Sequence, residues 1–80
     1  MKKADILFYA ERKGLCVYEH YEGRKVFYKV RIPTFTEGKV VPTGYKDMMV
    51  RNLKEVKEKV DELWSDDKYR GNAAAWVRTW

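Results

Sequence analysis

Few residues in this chain are of types that do covalent or acid–base chemistry. Cys16 is the one cysteine and His20 the one histidine. A thiol nucleophile needs a base within hydrogen-bond reach. In an extended chain the four-residue step puts both side chains on one face, but roughly 13 Å apart. They cannot pair directly in that geometry. Cys16 is therefore expected as a small buried hydrophobe, and His20 as a hairpin surface residue. Asp66 and Asp67 are adjacent carboxylates, a pair that holds a divalent cation or shares a proton when further ligands converge on it. No other acid stands next to them, and a solvated turn is expected. The sequence holds no glycine-rich phosphate loop, nucleophile elbow or zinc-peptidase helix motif. One cysteine and one histidine also exclude an internal disulfide and a Cys/His zinc site. The expectation is a protein without cofactor, metal or catalysis, which acts by binding.

What it binds is argued from charge. The formal net charge is +5, and its placement is uneven. Residues 1–51 carry eleven Lys or Arg against six acids, and residues 52–80 carry six against six. The excess lies outside the C-terminal part. In the run 25–32, Val26, Tyr28, Val30 and Ile32 fall on one side of an extended chain. Lys25, Phe27, Lys29 and Arg31 fall on the other. Cations neutralise phosphates and release counterions, and an aromatic stacks on a base. The second set therefore reads as a nucleic-acid-binding face, for DNA rather than RNA, with Tyr18 and His20 beside it and Lys39, Lys46 and Arg51 as extensions. The alternative is that alternating charge keeps an open sheet face soluble. That explains the lysines but not Phe27.

A second candidate surface lies at the end of the chain. Trp76 and Trp80, with Ala73 and Val77, share a helical face, and Trp is enriched where proteins meet. Exposed, this stripe suits a protein partner or a homodimer, as would be expected of an inhibitor or adaptor of a host protein. Packed inward, it completes the core.

These residues need elements to position them. Asp5 is a candidate cap for a short helix through about Arg12, ended by Gly14. The continuous run Ile6-Leu7-Phe8-Tyr9 leaves a strand as the alternative. From Leu15 the residues become β-branched and aromatic, with Tyr21-Glu22-Gly23-Arg24 as a hairpin turn. Pro33 is expected to interrupt or end the pairing. Glu37-Gly38 marks the tip of an excursion, and a third strand runs from Tyr45 to Arg51 with Met48 and Val50 inward. Asn52 caps a helix over 53–64, with Glu55 placed to close a capping box. Leu53, Val56, Val60, Leu63 and Trp64 form its apolar face. Lys54–Glu58, Glu55–Lys59 and Lys57–Asp61 are its expected ion pairs. Asn72 is expected to cap a last short helix.

The sum is an α+β fold: a small antiparallel three-stranded sheet packed on one main helix (53–64), with short helices at both ends, in one domain over 1–80. Eighty residues sit near the lower limit for a self-sufficient core, and the three Trp, six Tyr and three Phe supply large buried areas. The start lacks the apolar run of a secretory signal, and Ile6 to Ala10 is too short to span a bilayer. A cytoplasmic, membrane-free protein is expected. Over residues 15–64 the plan resembles the amino-terminal arm-binding domains of phage-type integrases and plant APETALA-type DNA-binding domains, which lay a sheet into a DNA groove. The resemblance is architectural and carries no residue roles; the size is that of accessory proteins of phages and mobile elements, and such a role is expected.

Overall fold

The computed structural model describes residues 2–79. Its elements run α1 (Lys3–Glu11), β1 (Cys16–Glu22), β2 (Lys25–Thr34), β3 (Gly44–Val50), α2 (Leu53–Trp64) and α3 (Asp67–Val77). The strands form one antiparallel sheet in the order β1-β2-β3, an α+β arrangement.

The N-terminal ambiguity resolves as helix. Asp5 is not its cap but sits in the first turn, where its carboxylate accepts from the Lys2 backbone N–H at 3.3 Å. At the other end Gly14 takes φ 84°. The Gly14 and Leu15 N–H groups then return to the carbonyls of Glu11 and Ala10, each at 3.0 Å, which is the double bond of a Schellman turn. That turn drives Leu15 into the core, where it is fully buried.

β1 and β2 are joined by two residues, Gly23 and Arg24, between the paired Glu22 and Lys25. Gly23 has φ 63° and Arg24 does not share a positive φ, the pattern of a type II′ hairpin. Pro33 does not end β2. It pairs with Tyr45 of β3, while the pairing with β1 stops at Cys16 opposite Arg31. Pro33 thus lies where β2 has one neighbour, and the strand tolerates the missing N–H. The 35–43 excursion closes on itself: Lys39 N–H donates to Thr36 across Glu37-Gly38, and Thr43 N–H donates to Thr34.

One face of the sheet, formed by Val17, Tyr28, Val30, Ile32, Met48 and Val50, packs on the helices. The cover is wider than a single helix. Ile6 and Ala10 of α1 join Val56 and Val60 of α2 in the same core. Asn52 caps α2 through a bond from Glu55 N–H at 2.9 Å, but the Glu55 carboxylate accepts from Arg51 N–H at 3.1 Å rather than from the cap residue. Of the expected pairs along α2, Lys57–Asp61 forms, while Glu55 turns to Arg51 and Lys59 to Glu62.

The last helix starts earlier than expected. Asp66 caps it by accepting from Lys68 and Tyr69 N–H, which leaves Asn72 inside the helix. α3 docks on the turn after α1: Tyr69 Oη donates to the Lys13 carbonyl at 2.9 Å, and Ala73 is fully buried. Among the described residues no helix is long and apolar enough to cross a membrane.

Candidate nucleic-acid interface

The face of the sheet turned away from the helices is set by register. Opposite Lys25, Phe27, Lys29 and Arg31 on β2 stand Glu22, His20, Tyr18 and Cys16 on β1. On the other side Met49 stands opposite Lys29, Asp47 opposite Arg31, and Tyr45 opposite Pro33. Strand alternation puts all of these on one surface, and none of them belongs to the hydrophobic core. Tyr18 is 45% exposed, Tyr45 56% and Met49 48%.

Arg31 organises the surface. Its Nε donates to Asp47 Oδ1 at 3.0 Å and Nη2 to Oδ2 at 3.4 Å, a two-point fork across β2 and β3. The guanidinium carbon lies 5.5 Å from the Tyr18 ring centre and 5.8 Å from that of Tyr45, and Lys29 Nζ is 5.8 Å from Tyr18. These are cation–π distances. The row across the sheet is thus ring, cation, ring, with a carboxylate fixing the cation. The hydrogen bond from Arg31, ahead of its charge, lowers the Asp47 pKa, and the same bond raises that of Arg31. Part of the Arg31 charge is therefore neutralised within the protein, whereas no ion pair among the described residues takes up Lys25 or Lys29.

The seven residues expected to form the face do not all meet. Lys25, Phe27, Lys29 and Arg31 share it, with Lys25 exposed and the other three half-buried. Arg51 follows β3 directly but is drawn to the start of α2, its Nε 3.3 Å from Glu55 Oε1. Lys39 is exposed in the 35–43 excursion, beyond the Thr36–Lys39 turn. Lys46 stands opposite Ile32 and shares the alternation of Met48 and Val50, which places it at the margin of the helix-covered face. That placement was available from the sequence, since any strand that turns Met48 inward turns Lys46 the same way. Tyr45 and Met49 were the residues overlooked. Their alternation was legible, but their partners on β2 depend on how the 35–43 excursion closes.

Cys16 and His20 share this surface, opposite Arg31 and Phe27, with Cys16 half-buried rather than fully enclosed. Trp76 is not a free stripe. It is half-buried, its ring meets Phe35 edge-on at 6.1 Å between centroids, and it lies against Gly14. Trp80 falls outside the described residues. Among those residues no three His, Cys, Asp or Glu side chains converge as a metal site would require. No family model, curated protein or solved structure matches this chain, so no residue role is carried over from a relative.

Proposed function

We propose that this protein is a non-enzymatic DNA-binding protein that works through the open face of its sheet. The observation that carries this reading is the interleaving of exposed Tyr18 and Tyr45 with Lys29 and Arg31 on a surface that contributes nothing to the core. Lys25 and Lys29 supply phosphate neutralisation, and the Tyr rings supply flat surfaces for bases or sugars. Arg31, oriented by Asp47, presents a fixed planar donor. Residues 20–25, which form the tip of the β1–β2 hairpin, are all exposed, and the DNA major groove admits a two-stranded ribbon. A role as an accessory protein of a phage or mobile element belongs to the same proposal and rests on size and plan.

The test is a mobility shift with duplex DNA, single-stranded DNA and RNA, using the wild type, Lys29→Glu and Tyr18→Ala. Both variants lie on the exposed side, so circular dichroism should be unchanged. Lys29→Glu should weaken every complex, and Tyr18→Ala should weaken binding with less effect on its salt dependence. Unaltered binding in both would remove the sheet face from the account.

A protein partner on the same face is the second reading, because Tyr and Met are enriched at interface cores and Tyr18, Tyr45 and Met49 are all exposed. A stoichiometric partner that survives nuclease treatment would favour it.

A further inference from the structure

A second surface, on the helical side of the molecule, carries an open cleft. Asp5, Phe8, Tyr9, Arg12, Lys13 and Trp64 line a cleft of about 560 Å³ between α1 and α2, within the size range of small-molecule sites. Lys13 Nζ lies 4.4 Å from the Tyr9 ring centre and 4.7 Å from that of Trp64. Arg12 lies 5.6 Å from the centre of Phe8, a ring 59% exposed. The ion pairs of the described residues leave Arg12 and Lys13 out. Rings hold these cations in place without using up their N–H donors, so both keep hydrogen bonds to give to an anion. Asp61, which feels the Lys13 charge, is already engaged: it accepts from Tyr9 Oη at 2.5 Å and from Lys57 Nζ at 2.9 Å.

The polarity runs along α1. Asp5 lies in the first turn and Arg12 and Lys13 just past the last, ~10 Å apart along the axis at the helical rise per residue. Phe8 and Trp64 line the same cleft, with Arg12 over one face of Phe8 and Lys13 over one face of Trp64, which leaves the opposite face of each for a ligand ring. The geometry points to a binding site for a planar, amine-bearing base that carries a phosphate: phosphate at Arg12 and Lys13, ring against Phe8 and Trp64, amine toward Asp5. A nucleoside monophosphate has this chemistry, and so does the 5′-phosphorylated end of a strand.

The site is independent of the sheet face and is tested separately. Adenosine monophosphate, adenosine and inorganic phosphate are titrated into the ¹⁵N-labelled protein, and amide shifts are followed. The monophosphate should give saturable shifts confined to the cleft, and bind roughly tenfold or more tightly than either fragment. Arg12→Ala and Lys13→Ala should each weaken it by roughly tenfold. Arg12 is exposed, so its variant keeps the test decisive if Lys13→Ala loosens α1. Lys29→Glu should leave the cleft titration unchanged whatever it does to DNA binding. A 5′-phosphorylated oligonucleotide that outcompetes the monophosphate assigns the strand end as the source, and the reverse assigns the free nucleotide. Shifts scattered over the surface, equal shifts with inorganic phosphate, or no saturation at millimolar ligand would overturn the proposal.

Discussion

Gly14 is the residue on which the helical side turns. It holds φ 84°, and an added Cβ would meet Ala73 Cβ at 3.4 Å and the Trp76 ring at 3.5 Å. Gly14→Ala is both strained and crowded, and should lower stability by about 1–2 kcal/mol in urea unfolding. Gly71 is the contrast, inside α3 with no positive φ and nothing within 4 Å of an added Cβ. Gly71→Ala should raise stability by roughly 0.5–1 kcal/mol. If the two substitutions behave alike, the docking of α3 on the turn after α1 is wrong. Titration belongs to this scale too. The Tyr9 and Lys57 hydrogen bonds hold the Asp61 carboxyl below its ordinary 3.8, and Arg31 does the same for Asp47. A depressed folded-state pKa gives stability that is present above the ordinary value and lost as pH falls through the folded one. Unfolding midpoints should therefore drop below about pH 4, and Asp61→Asn should flatten part of that drop. Tyr69, whose pKa burial pushes up, has the opposite sign. Its contribution is present below pH 10 and lost in strong alkali.

At the scale of elements, α2 was readable because three independent signals coincide: the Asn52 cap, the apolar spacing and the charge pairs. The hairpin was readable because Gly23 sits between two alternating runs. The boundaries that were not legible have physical causes. Pro33 stays in β2 because β1 stops short of it, a fact of register and not of residue type. α3 is capped at Asp66 rather than at Asn72, and Tyr69 in its first turn finds a distant acceptor at the Lys13 carbonyl. The Arg31–Asp47 fork joins residues sixteen apart in sequence and depends on the closure of the 35–43 excursion. Leu15 lies outside every helix and strand but is 0% exposed, buried by the Schellman turn. Leu15→Ala should cost roughly 2–5 kcal/mol, measured by denaturant unfolding. A small loss would show that this turn does not anchor the core.

At the scale of the whole molecule, the fold is elongated, 43 × 24 × 21 Å. One side of the sheet is covered and the other is open. The net charge of +5 suits a polyanionic partner, and on the proposed function the open sheet face is where it would bind. On the proposed function, binding should be electrostatic and local. Each phosphate neutralised on duplex DNA contributes a slope of about −0.9 in a plot of log affinity against log salt. With Lys25 and Lys29 unpaired and Arg31 shared with Asp47, the wild type should show a slope of about −2 to −3, and Lys29→Glu should make it shallower by about one. The most direct measurement is fluorescence anisotropy of labelled duplex DNA across a salt series, with both proteins side by side. Affinity that does not fall with salt, or a slope that Lys29→Glu leaves unchanged, would contradict the account.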